Sequence, residues 1–169
     1  MQKISFIGIG LMGAPMAINI LKKNKLTVFN RTYKKAHKLY KHGANVAKSL
    51  KDAVNGADVI ITMLSDDNAV LSIINKKDFI ENIKNNSILI DMSSTKPKTA
   101  IKINSLLKKK KIKFLDAPVS GGTLGAENAS LAIMVGGSKS LFKKVKKILN
   151  LMGNATHTGP VGSGQISKL

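Results

Sequence analysis

Two kinds of apolar run alternate along the chain. Short, nearly unbroken runs occur at Ile4–Ile7, Lys25–Phe29, Val59–Leu64, Ser87–Asp91 and Ile112–Leu115, the pattern of strands buried on both faces of a parallel sheet. Between them the apolar positions fall at helical spacing. Leu11 to Lys23 reads as one helix, and Lys34 to His42 as another, with Ala36, Leu39 and Tyr40 facing inward and Gly43 placed to stop it. A third includes Val70, Ile73 and Ile74 behind a Ser65-Asp66-Asp67 cap. Pro97 opens a fourth, with Ala100, Ile101, Leu106 and Leu107 on its apolar side, and Leu141 to Leu151 forms a fifth. Asn45 to Ala47 reads as a short strand, and Ser49 as the N-cap of a short helix carrying Leu50, Ala53 and Val54. Leu131 to Val135 and Ala155 to His157 add two strands. Strands alternating with helices call for right-handed crossovers. The predicted fold class is therefore α/β, a doubly wound Rossmann-type sheet, mostly parallel.

Length and composition narrow this only a little. The 169 residues suffice for one well-buried domain and not comfortably for two. There is no cysteine, so thiolate metal sites and disulfides are excluded, and His37, His42 and His157 form no metal-like grouping. The methionines read as core filler, except Met12 in the first turn. No run of about twenty apolar residues would span a membrane, and no signal peptide fits, so the expected location is cytoplasmic. Net charge is +19, which raises nucleic acid as a partner. The charge is lysine, however, with Arg31 the only arginine, and it is spread over every predicted helix. Base readers favour arginine forks. Salt-sensitive adhesion to polyanions is expected, and specific nucleic-acid binding is not.

The first strand runs into Gly8-Ile9-Gly10-Leu11-Met12-Gly13 and then directly into a helix. A G-x-G-x-x-G in that setting is a dinucleotide-binding turn. Gly8 allows the tight turn, Gly10 lets the backbone approach a pyrophosphate, and Gly13 lets helix pack on strand. About twenty residues on, where an acidic residue would bond the adenosine ribose, stand Asn30 and Arg31. A carboxylate there would repel a 2′-phosphate, whereas a guanidinium attracts one. The expected cofactor is NADP, with NAD as the lesser possibility.

Several segments together resemble the 3-hydroxyisobutyrate dehydrogenase (β-hydroxyacid dehydrogenase) family. They are Gly8-x-Gly10-x-Met12-Gly13-x-Pro15-Met16-Ala17 with Asn19 and Leu21, then Asn30-Arg31-Thr32, Thr62-Met63-Leu64 and Asp91-Met92-Ser93-Ser94. Asp116-Ala117-Pro118-Val119-Ser120-Gly121-Gly122 and Gly159-x-x-Gly162-x-Gly164-x-x-x-Lys168 complete the set. The resemblance implies hydride transfer between a nicotinamide and a short β-hydroxyacid or its semialdehyde partner. It implies that Gly8, Gly10, Leu11, Met12 and Gly13 hold the pyrophosphate, that Asn30, Arg31 and Thr32 meet the adenosine end, and that Leu64, Ser65 and Ser94 lie along the cofactor. Ser120, Gly121 and Gly122 would bind the substrate carboxylate, and Lys168 would be the catalytic proton donor and acceptor. Asp116 is expected to shape its strand end rather than move protons. Departures are Ser65 for the family's usual Pro, Ser94 for Thr, and Ala129 for Gly.

Residues 1–162 are expected to form the dinucleotide-binding domain and 163–169 to open the helix that, in the family, leads to an all-α second domain. With that domain missing, the chain is expected to bind NADP(H) but turn over poorly, for want of the helix that holds Lys168. With it, the resemblance implies a homo-oligomer acting on a small carboxylate. The alternative is a non-catalytic dinucleotide-binding or interaction module, against which the presence of Ser120 and Lys168 argues.

Overall fold

The computed structural model describes residues 2–169. Nine strands form one sheet: β1 (Ile4–Ile7), β2 (Thr27–Phe29), β3 (Asn45–Val46), β4 (Val59–Thr62), β5 (Ile88–Asp91), β6 (Lys113–Asp116), β7 (Val119–Ser120), β8 (Leu131–Gly136) and β9 (Gly153–Gly159). The order is β3-β2-β1-β4-β5-β6, with β8 beyond β6 and β9 beyond β8. Every pairing from β3 to β6 is parallel. Beyond β6 the pattern breaks. β6 and β7 both pair antiparallel with β8, Asp116 opposite Gly136 and Val119 opposite Ile133, while β8 and β9 are parallel.

Helices cover both faces because alternate residues of the central strands point to opposite sides. Val59, Ile61, Ile88 and Ile90 join a core with α1 (Gly13–Leu21) and α8 (Lys139–Leu149), whereas Ile60 and Leu89 face α3 (Leu50–Val54), α4 (Asp67–Ile74) and α6 (Pro97–Lys109). Each fully buried Ile or Leu contributes roughly 1.5–3 kcal/mol. α8 shows the logic most plainly: Leu141, Phe142, Val145, Ile148 and Leu149 are buried beneath a lysine face, and the Ser138 hydroxyl caps the helix by accepting from the Leu141 N–H (3.1 Å).

The expected caps form. Ser49 accepts from the Asp52 N–H (3.1 Å), and Asp66 caps α4 through the Ala69 N–H (2.8 Å). Gly43 ends its helix at φ +92°. That helix is α2 (Tyr33–His37), continued by a 3-10 turn over Lys38–His42. Tyr40 is exposed there, stacked on His37 with ring centroids 5.9 Å apart, rather than inward-facing. In α6 the buried row is Ala100, Ile103 and Leu107, and Ile101 is turned outward, because the i, i+3, i+7 row faces the sheet. Three elements lie in stretches with no sequence expectation: α5 (Lys77–Ile80), β7, and α7 (Gly122–Glu127). α9 (Ser163–Lys168) completes the fold. No helix among the described residues is long and apolar enough to cross a membrane.

Candidate cofactor and substrate cleft

The chain leaves β1 in one direction, to β2 and β3, and later takes β4 on the other side. The carboxyl ends of β1 and β4 therefore flank a crevice, the usual ligand position of such sheets. The glycine turn fills it. Gly8 has φ +103°, and a Cβ there would strike the Met63 carbonyl beyond β4. A Cβ on Gly13 would strike the Gly8 carbonyl, so helix α1 starts against the end of its own strand. A Cβ on Gly10 would meet nothing within 4 Å. Its freedom is not needed for internal packing, and the empty space fits close approach by a ligand. α1 has no side-chain cap at its first turn, leaving N–H groups for an anion.

Two adjoining cavities gather every site residue expected from the sequence. The larger, about 600 Å³, brings together Gly10, Leu11, Met12 and Gly13, the loop residues Leu64, Ser65 and Ser94, and Ser120, Gly121, Gly122 and Lys168. The smaller, about 240 Å³, is lined by Gly8, Asn30, Arg31 and Thr32, and shares Leu64 and Ser65 with the first. Asn30 faces the turn as well as the cavity. Its Oδ1 accepts from the Ile9 N–H (2.9 Å) and its Nδ2 donates to the Thr32 carbonyl (3.0 Å), so the carboxamide braces the turn.

Lys168 is held within the chain, contrary to the expectation that it lacks a helix to hold it. Buried Asp116, at the end of β6, accepts from the Gly162 N–H (2.8 Å) and the Gln165 N–H (3.0 Å), which anchors the start of α9. The Gln165 side chain accepts from the Thr95 N–H (3.1 Å) and donates to the Ser93 carbonyl (2.8 Å), tying α9 to the loop after β5. One turn later the Lys168 Nζ donates to the Ser94 hydroxyl (2.6 Å) and the Val119 carbonyl (2.8 Å). An ammonium has three donors; two are committed, and the third is left for the cleft. Gly164 is small for a reason, since a Cβ there would strike the Met134 carbonyl and approach the Asp116 carboxylate (2.9 Å).

The neighbouring loops are fixed by buried polar bonds. Asn19 of α1 donates to the Ala126 carbonyl (2.7 Å), fastening α7 behind Gly121 and Gly122. Gly121 has φ +138° and Gly122 φ +64°, backbone shapes that other residues rarely adopt. Ala129 adopts φ +54° without a glycine's freedom. Asp91 Oδ1 accepts from the Thr62 hydroxyl (2.9 Å) and the Ser93 N–H (3.2 Å), and the Ser93 hydroxyl accepts from the Leu64 N–H (2.8 Å). Burial pushes the Asp91 carboxyl up to about 6, against the lowering effect of the Ser93 and Thr62 bonds, and the nearby Asp116 charge adds to the rise.

This gives a pH prediction. In the unfolded chain Asp91 would titrate near its ordinary value of 3.8. Because the folded value is higher, the folded state holds the extra proton between those values. The resulting stabilisation is full below about pH 4 and is lost as pH rises through about 6, a change on the order of 3 kcal/mol. Denaturant unfolding of the wild type and Asp91→Asn should show a stability difference that shifts against the wild type across this window; parallel curves would refute it.

Sequence reasoning missed several of these roles. The Val119 carbonyl and the Gln165 clasp join positions more than forty residues apart, and no local spacing signals them. Lys35, Ser72 and Lys76 also line the smaller cavity, where nothing marks them out in a lysine-rich chain. Leu11, Leu124, Ile166 and Leu169 are more than half exposed.

Known proteins resemble this chain over nearly its whole length. Residues 3–161 match the family described as the NAD binding domain of 6-phosphogluconate dehydrogenase. An uncharacterised oxidoreductase of Bacillus subtilis is 44% identical, over 99% of this chain and 59% of its own length. An NAD-dependent L-serine dehydrogenase of Pseudomonas aeruginosa is 40% identical, over 100% of this chain and 58% of its own. The solved structure of Mycobacterium tuberculosis 3-hydroxyisobutyrate dehydrogenase with L-serine superposes with a TM-score of 0.94 at 35% identity, covering 99% of this chain and 58% of that one. The chain thus spans somewhat under two thirds of the relatives it matches, and it belongs to the 3-hydroxyisobutyrate dehydrogenase family of nicotinamide-dependent oxidoreductases, matching the dinucleotide-binding part.

Proposed function

We propose that this chain is the cofactor-binding part of an NADP-dependent oxidoreductase that interconverts a short β-hydroxyacid and its semialdehyde or keto partner. The observation that carries the reading is the placement of Lys168. Its ammonium is pinned by Ser94 and Val119 in the same cleft as the glycine turn and Ser120 to Gly122. The residues present fit a dinucleotide: the space beside Gly10 is open, α1 begins uncapped, and cations line the adenosine-side cavity.

When bound, the nicotinamide supplies or removes the hydride. Gly10 to Gly13 hold the pyrophosphate with backbone N–H groups, and Leu64, Ser65 and Ser94 orient the nicotinamide end. The Ser120 hydroxyl and the Gly121 and Gly122 amides bind the substrate carboxylate, which fixes the neighbouring carbonyl beside Lys168. In reduction Lys168 gives a proton to the carbonyl oxygen, and in oxidation it takes the hydroxyl proton back. Its bonds to Ser94 and Val119 keep the remaining N–H aimed at one oxygen. The similarity to an L-serine dehydrogenase and to a 3-hydroxyisobutyrate dehydrogenase solved with L-serine supports a substrate with a hydroxyl two carbons from its carboxylate.

Calorimetric titration with NADPH and NADH in parallel tests the cofactor reading. One additional charge-assisted contact is worth about 1.5–3 kcal/mol, so NADPH is expected to bind at least about tenfold more tightly. A preference for NADH would overturn the NADP assignment and leave the hydride chemistry standing. Failure to bind either would overturn both. Oxidation of L-serine and 3-hydroxyisobutyrate, and reduction of glyoxylate and succinic semialdehyde, then test the substrate class.

A further inference from the structure

The smaller cavity has two sides. Arg31, Thr32 and Lys35 come from the β2–α2 segment, while Ser72 and Lys76 come from α4 and the residues just after it. No carboxylate is among its lining residues. Three cations gathered around about 240 Å³ without an acid repel one another, and an anion of matching size relieves that repulsion. Asn30 is uncharged, and its Oδ1 and Nδ2 already bond Ile9 and Thr32, so the charge discrimination falls to the surrounding cations.

We infer that Lys76, with the Ser72 hydroxyl beside it, forms a second jaw that closes on the 2′-phosphate of NADP opposite Arg31 and Lys35, and so sets the preference for NADP over NAD. The inference rests on the NADP reading proposed above. A 2′-phosphomonoester carries nearly two negative charges and three acceptor oxygens at neutral pH. A guanidinium with two ammoniums and a hydroxyl supplies matching donors from more than one direction.

Lys76 is positioned for this by the core. Its carbonyl accepts from the Phe79 and Ile80 N–H groups (both 3.0 Å), and Phe79 is fully buried, so α5 locks the Lys76 backbone against the domain. The side chain stays free. The one ion pair among the described residues joins Lys84 to Asp58, and no carboxylate holds Lys76. The four-residue helix that follows α4 thereby fixes the backbone from which the Lys76 side chain reaches.

The test is calorimetry on the full chain with NADPH, NADH, 2′,5′-ADP and 5′-AMP, for the wild type, Lys76→Gln, Lys76→Arg and Lys77→Gln. For Lys76→Gln, NADPH and 2′,5′-ADP should weaken about tenfold, while NADH and 5′-AMP stay within about twofold. The slope of log affinity for NADPH against log salt should become shallower by about one. Lys76→Arg should retain most of the affinity. Lys77→Gln, which removes the same charge from an adjacent residue outside the cavity, should change little. Equal weakening of NADPH and NADH by Lys76→Gln, no weakening at all, or the same loss from Lys77→Gln would overturn the inference. A wild type that prefers NADH would instead show that the NADP reading beneath it fails.

Discussion

Replacing Lys168 by alanine is expected to lower turnover about a thousandfold, within the range that a positioned acid-base group contributes, while the affinity for NADPH changes less than about threefold. The split follows from what Lys168 touches. Its ammonium bonds Ser94 and Val119 and faces the cleft, but the pyrophosphate and adenosine contacts proposed above come from other elements. Lys168→Arg sharpens the test. A guanidinium can keep bonds to both partners and the positive charge, yet it does not release its proton at working pH. If the group acts as an acid and base, arginine should be nearly as inactive as alanine. If Lys168→Arg kept substantial activity, electrostatic stabilisation alone would suffice, and proton transfer by this residue would be ruled out. Steady-state kinetics with NADPH and a short semialdehyde, together with cofactor titration, separates the cases.

The largest effect on the folded chain is expected for Gly8→Ala. Its φ of +103° is strained for any other residue, and the new Cβ would collide with the Met63 carbonyl and sit 3.0 Å from a Leu64 methyl. Backbone strain and overpacking together should cost about 3–5 kcal/mol. The damage falls on the crevice itself, because the β4 loop must move away from the β1 turn, so NADPH binding should be lost as well. Gly10→Ala is the instructive contrast. Its Cβ would meet nothing within 4 Å, so unfolding in urea should show a change within about 0.5 kcal/mol, whereas NADPH affinity should fall sharply if the pyrophosphate packs there. A Gly10→Ala chain that bound NADPH normally would refute the assignment of the turn.

Much of the site was legible because its chemistry lies in short local patterns. The glycine turn, the Asn30-Arg31-Thr32 strand end and the Ser120-Gly121-Gly122 loop each occupy consecutive or near-consecutive positions, and together they line two adjoining cavities. What holds them in place was not legible. Asp116 meets Gly162 and Gln165 from over forty residues away, and Asn19 reaches Ala126 across more than a hundred. Such partners are chosen by topology, and sequence spacing carries no trace of it. Asn30 lines the cavity its position implied and has a further task that spacing does not signal, since its Oδ1 accepts from the Ile9 N–H and braces the turn.

The fold divides the same way. Apolar periodicity determined which segments are strands and which are helices, because burial on two faces demands unbroken runs and burial on one demands a 3.6-residue repeat. It could not tell the direction of β8, since a strand's alternation reads the same from either end, and only pairing with Asp116 and Val119 makes it antiparallel. Nor could it choose between Ile101 and Ile103 in α6, where the sheet beneath selects the buried row. The sequence by itself determined a doubly wound sheet with a dinucleotide turn, a lone arginine and a lysine at 168. The tertiary structure decided that Asp116 and Gln165 anchor the helix that carries Lys168 to Ser94 and Val119, and that Lys76 lines the same cavity as Arg31. Those relations are set by which strand ends lie side by side, a property of the packed sheet and of no single stretch of chain.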